Sequence, residues 1–232
     1  MNQASPLNEK QLLVLLGKLQ SLLTDAINSL DTKKLTPETR YLTICAITVN
    51  QAAGGYFVLR ERRQIYASKF LIRPIIEATI SAGAALKERG FLYRKTYSEI
   101  LEQKKNFPKD PKTEAQFEFV LKELKDFFKK QDPNYPIENK EVNLRQASEW
   151  AEMVPLYEVA YRAYCRFTHG AIDAALGQLN EMTDNLDTQF VVGLVLMMLE
   201  KLQKHTYASI PDLESFRTQL GIQKQTKNCG LW

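Results

Sequence analysis

Histidine is scarce in this chain: His169 and His205 are the two in 232 residues. Cysteine is nearly as rare, with Cys45, Cys165 and Cys229 too scattered to form a metal-ligand pair. Zinc is therefore left without a ligand set. A carboxylate di-metal bundle would need a glutamate three residues before each histidine. Those positions hold Arg166 and Leu202. Three cysteines also argue against a disulfide framework and fit a reducing compartment, so the cytoplasm is the expected location. The ten glycines form no phosphate loop, no G-x-S-x-G elbow accompanies them, and His-Glu-x-x-His is missing. No metal and no cofactor is implied.

Long apolar runs are missing too. The most apolar one, Phe190 to Leu199, is ten residues, half of what a membrane span needs. The first 25 residues lack the pattern of a signal peptide. No membrane association is expected. Excess charge of one sign is likewise missing. Lys+Arg number 31 against Asp+Glu 27, a net of +4, which permits phosphate contact without the concentrated basic patch of most nucleic-acid binders. No long stretch alternates apolar and polar residues, so nothing reads as a half-buried strand.

What is present is helical period. Leucines 12, 13, 15, 16, 19, 22, 23 and 30 give a broad apolar face, with Asn8 placed to cap it. Thr36-Pro37-Glu38 starts a second helix, expected to reach about Arg63 and interrupted by Gly54-Gly55, a close packing point or a kink. Ala67–Gly90 is a third segment, in which Pro74 either kinks the helix or starts a new one. Helices follow over 91–107, 113–131, 143–153, 155–170, 171–180 and 187–207, with a last amphipathic turn or two over 211–220. Asp132–Asn139 reads as a loop, and residues 222–232 as a loose polar tail. With 44% hydrophobic residues the chain can bury a core, and the expected architecture is a single all-α domain over 1–232, a bundle of about eight helices, its core spanning about residues 8–220.

Chemistry concentrates in Pro155–Asp173, PLYEVAYRAYCRFTHGAID. On one continuous α-helix Arg162, Arg166 and His169 fall on one stripe roughly 60° wide, with Glu158 one turn before Arg162. Tyr157, Tyr161, Tyr164 and Thr168 make a neighbouring stripe, whose plain reading is core with hydroxyls satisfied at its edge. Gly170 can cap the C-terminus. A second feature is Arg73 with Glu77, opposite charges at i,i+4 inside the apolar FLIRPIIEATI. A surface ion pair is one reading; the expectation taken here is that both point inward, near the helix of Arg162.

Together, Arg73-x-x-x-Glu77-Ala78 and Tyr161-Arg162 through Thr168-His169-Gly170 resemble a bacterial all-helical family of uncharacterised function and, more distantly, the HEPN superfamily, whose hallmark is an arginine, four to six residues, then a histidine. Here the six are Ala163 to Thr168. Many HEPN ribonucleases carry a polar residue directly after the arginine; this chain has Ala163. The resemblance implies metal-independent RNA cleavage, with His169 moving the proton and Arg162 stabilising phosphate charge. Arg166, Arg73, Glu77, Tyr161 and Tyr164 would bind phosphate or support the site. It further implies a homodimer acting on RNA in a toxin–antitoxin or phage-defence system, with an antitoxin or defence component as partner. The alternative is a non-catalytic helical interaction protein or nucleotide sensor, its Arg, Glu and His groups a structural or ligand-binding network.

Overall fold

The computed structural model describes residues 7–168, 181–206, 208, 210–211 and 213–221, and for 166–168 and 181–184 the backbone only. Helix takes up 78% of the described residues and none of them is in a strand. Backbone contacts divide the chain into two compact units, Met1–Thr79 with Val159–Trp232, and Ile80–Glu158.

The first unit is built on α1 (Glu9–Asn28), α2 (Pro37–Glu61) and α9 (Glu181–His205). The starts of α1 and α2 are written locally. Asn8 accepts from the Gln11 N–H at 3.0 Å while its own N–H donates to Gln11 Oε1 at 2.9 Å, a closed capping box. Thr36 caps α2 ahead of Pro37. Leu12, Leu15, Leu16, Leu19 and Leu23 of α1 are buried against α2 and α9, each contributing about 1.5–3 kcal/mol. α9 is buried on more than one side, with Val191, Val192, Leu194, Val195, Leu196, Met198 and Leu199 all inside. Polar ties cross the α1–α2 seam: Gln20 Nε2 donates to the Asn50 carbonyl at 3.1 Å and Asn50 Nδ2 to Thr24 Oγ1 at 2.9 Å.

Gly54-Gly55 does not break α2. A Cβ at Gly55 would lie 2.8 Å from Leu71 Cδ1 and one at Gly54 3.0 Å from Gln20 Nε2, so close packing is their reason. Among the described residues α2 is the one helix long and apolar enough to cross a membrane by length and composition, with a mean hydropathy of 1.4 over its most apolar window. The segment over 67–90 is two helices, α3 (Ile65–Lys69) and α4 (Ile72–Lys87). The break falls at Phe70-Leu71, and Pro74 sits in the first turn of α4, where its missing N–H had no helical partner. The same unit holds a one-turn 3₁₀ helix (Thr32–Lys34), α8 (Arg162–Thr168) and α10 (Glu214–Gln219).

The second unit contains α5 (Phe91–Lys104), α6 (Pro111–Gln131) and α7 (Leu144–Trp150). Asp110 starts α6 by accepting from the N–H groups of Lys112 and Thr113, both at 3.0 Å. Asn143 starts α7 with a second capping box. Arg94 is the polar hub here. Its guanidinium lies 4.4 Å from the Trp150 ring centroid and donates to Glu88 at 2.5 Å and Glu138 at 3.1 Å. The expected helix over 171–180 and the tail over 222–232 lie outside the described residues.

Candidate functional site

α8 does not continue an α-helix from Pro155. Leu156–Tyr161 form a π-helical turn, and α-helical geometry resumes at Arg162. The π turn closes wider i→i+5 rings, so the side chains before Arg162 are out of step with a uniform 3.6-residue period. The angular relation read between Glu158 and Arg162 assumed that period. Glu158 Oε1 stands 3.7 Å from Arg145 Nε. From Arg162 onward the α-helical register holds, and Arg162 and Arg166 lie four residues apart along one face of α8.

The sequence-predicted residues fall as follows. Arg162 is exposed at the head of α8, as is Ala163 beside it. Tyr161 and Tyr164 are half-buried. Arg166 belongs to α8, its side chain outside the description, and His169 lies outside the described residues altogether. His205, the other histidine, is exposed at the end of α9, its pKa lowered by partial burial and by the nearby charges of Lys204 and Lys201.

Arg73, Glu77 and Tyr161 are brought together. Glu77 Oε1 accepts from Arg73 Nε at 2.8 Å and from the Tyr161 hydroxyl at 3.0 Å. The Arg73 guanidinium carbon lies 5.6 Å from the Tyr161 ring centroid. The pair is next to α8, as expected, but not turned inward: the side chains of Arg73 and Glu77 are 31% and 38% exposed. The Tyr161 ring covers one side of the guanidinium and water reaches the rest of the pair. Burial, then the hydrogen bond with Cys165 and the Glu77 charge, push the Tyr161 pKa up.

Tyr164 goes elsewhere. Its hydroxyl donates to Asp187 Oδ1 on α9, and its ring stacks on Phe190 at 6.1 Å and 14°. Asp187 Oδ2 stands 3.0 Å from Lys69 Nζ of α3, the two side chains 10% and 2% exposed. One residue along α9, Thr188 shares a buried 3.0 Å hydrogen bond with the Tyr56 hydroxyl. Arg60 stands over the Tyr56 ring at 5.9 Å and donates through Nε to Glu9 at 2.7 Å. Polar groups thus run through the unit's interior beside α8.

Sequence reasoning missed Lys69, Asp187, Tyr56 and Thr188. The available signal was negative. Lys69 has no acid, and Asp187 no base, within three or four residues along its own helix, so neither can be paired locally.

Burial raises the pKa of Tyr164 and of Tyr56, with the Asp187 charge adding to the rise. At neutral pH both phenols stay protonated; Tyr164 donates to the Asp187 carboxylate and Tyr56 shares its hydrogen bond with the Thr188 hydroxyl. They are neither bases nor nucleophiles, which makes them holding groups. Among the described residues no group of three His, Cys, Asp or Glu side chains is placed to hold a metal ion. Two open cavities lie apart from these clusters. One, of about 470 Å³, is lined by Tyr93, Leu121, Lys122, Lys125, Ile137 and Asn139. The other, of about 320 Å³, is lined by Thr32, Lys33, Leu35, Arg40, Thr43 and Ile44. None of the sequence-predicted residues lines either one.

Compared with known families, residues 39–187 match one described as a family of unknown function (DUF5677). That span contains all seven candidate residues. No curated protein and no solved structure matches the chain.

Proposed function

We propose that this chain, which belongs to the family of unknown function DUF5677, is a metal-independent endoribonuclease that holds RNA phosphate at Arg162 and moves the proton with His169. The observation that carries the reading is the presentation of Arg162. It stands exposed at the first residue of α8, while the tyrosines flanking it, Tyr161 and Tyr164, are each tied down by a carboxylate. An exposed arginine on an anchored helix suits phosphate, which a guanidinium can grip with two parallel N–H donors. The Arg-x6-His spacing adds a group that titrates near neutral pH, with an ordinary pKa of about 6.5.

On this reading the RNA 2′-hydroxyl attacks its own phosphorus and the bond to the 5′-oxygen breaks. A 2′,3′-cyclic phosphate and a 5′-hydroxyl result. His169 takes the proton from the 2′-hydroxyl, and a proton is returned to the leaving oxygen. Arg162 offsets the negative charge that builds on the phosphoryl oxygens, and Arg166 assists in holding the backbone. Arg73, Glu77, Tyr161 and Tyr164 fix the helix. The enzyme acts as a cytoplasmic homodimer beside an antitoxin or another phage-defence component.

One observation favours a second reading. Glu77 already serves both Arg73 and Tyr161, so those residues suit a structural network, and Arg162 would then serve a binding or nucleotide-sensing protein without catalysis. Incubation with end-labelled RNA in EDTA separates the two. The ribonuclease cuts, leaves cyclic phosphate ends, and loses activity in Arg162→Gln and His169→Ala without a large fall in melting temperature. RNA retained but never cut supports the binding protein, and a wild type that neither binds nor cuts removes both readings.

A further inference from the structure

The described side chains of α8 include none that is buried: Arg162 and Ala163 are exposed, Tyr164 and Cys165 half-buried. Helices of globular proteins are normally fixed by an apolar face set into the core. The π turn ahead of α8 gives it no uninterrupted α-helical ladder to extend. Two phenol hydroxyls tie this stretch to other helices. Tyr161, at the last residue of the π turn, donates to Glu77. Tyr164, three residues on, donates to Asp187.

The two tethers differ in rigidity. Glu77 is 38% exposed and shares one oxygen between Arg73 and Tyr161. Asp187 is buried and paired with the buried Lys69 ammonium at 3.0 Å. The Tyr164 ring lies nearly parallel to Phe190, at 14°, which fixes the direction from which its hydroxyl meets the carboxylate.

We infer that Asp187, acting through the Tyr164 hydroxyl, is a positioning residue that sets where α8 presents Arg162 to phosphate. The inference rests on the reading of Arg162 as the phosphate contact. Asp187 itself touches no substrate. Lys69 compensates its charge in the core, so the carboxylate remains a strong acceptor for the phenol.

The test is a double-mutant cycle on the affinity of the full chain for labelled single-stranded RNA at one low salt concentration. Tyr164→Phe removes the hydroxyl and keeps the ring on Phe190. It is expected to weaken binding on the order of tenfold, the scale of one charge-assisted hydrogen bond, as Arg162→Gln does. Adding Tyr164→Phe to Arg162→Gln should then give no further loss, because both act through the same guanidinium. Additive losses, or a Tyr164→Phe protein that melts earlier but binds RNA like the wild type, would overturn the inference. Failure of the underlying reading looks different: Arg162→Gln alone would bind RNA as well as the wild type. Amide exchange then tests the tether itself. Tyr164→Phe should speed exchange within α8 about tenfold and leave α2 unchanged, and equal rates in α8 would overturn that part too.

Discussion

Two clusters beside α8 are made of the same parts and sit in opposite surroundings. Each joins a tyrosine hydroxyl to a carboxylate that also holds a cation: Tyr161 with Glu77 and Arg73, Tyr164 with Asp187 and Lys69. The first is local, its ion pair spanning i,i+4 within α4 and both charges about one third exposed. The second ties α3, α8 and α9 together, its charges nine-tenths or more buried. Water weakens the first pair by screening it. In the second the charges have lost their hydration, so each depends on the other. One set of residue types thus yields an adjustable contact at the surface and a rigid tie in the core. α8 is held between the two.

Breaking the buried member shows the largest effect. Asp187→Ala strands the Lys69 ammonium and should cost about 3–5 kcal/mol in denaturant unfolding. Replacing both charges, as Lys69→Met with Asp187→Leu, should recover most of that loss, because well-packed apolar residues stand in for a buried pair. A loss below about 1 kcal/mol for Asp187→Ala would mean that the pair is hydrated in solution.

Alkaline pH tests the protonated phenols. Folding raises the pKa of Tyr56 and Tyr164 above the ordinary value, about 10. Above that pH the unfolded chain releases phenol protons that the folded one keeps. Stability is therefore complete below about pH 10 and falls as pH rises beyond it, by up to about 1.4 kcal/mol per pH unit for each phenol. Tyrosinate absorbance of these residues should appear together with loss of helix signal. Tyrosinate formed while the helix signal persists would show that the interior admits the charge.

The exposed cluster gives the smallest change. Glu77→Ala removes a half-exposed partner, so a loss of about 0.5–1 kcal/mol is expected. A loss of about 3 kcal/mol would give the surface cluster the weight of the buried one and end the contrast.

The helical fold was readable because its signals are local. Asn8, Thr36 and Asn143 cap the helices they precede, and the apolar spacing of α1 coincides with its buried leucines. The Arg73–Glu77 pair was readable for the same reason: its two charges are one turn apart. The Lys69–Asp187 pair was not. Its members are separated by more than a hundred residues, with five helices between them among the described residues, and stand in ordinary segments, so only tertiary packing brings them together. The π turn at Leu156–Tyr161 was also hidden, because its composition supports an α-helix equally well and no proline or glycine falls within it. The tyrosines read as one stripe reach carboxylates on two different helices, Tyr161 at Glu77 of α4 and Tyr164 at Asp187 of α9.

On the proposed function, α8, held between the two clusters, offers Arg162 to RNA phosphate. The most direct test is the salt dependence of RNA binding by the wild type and Arg162→Gln. A lost phosphate contact on a single strand should make the slope of log affinity against log salt shallower by about 0.7. The account predicts that difference, with affinity lowered at every salt concentration. Equal slopes and equal affinities, or a wild type that does not bind RNA, would contradict it.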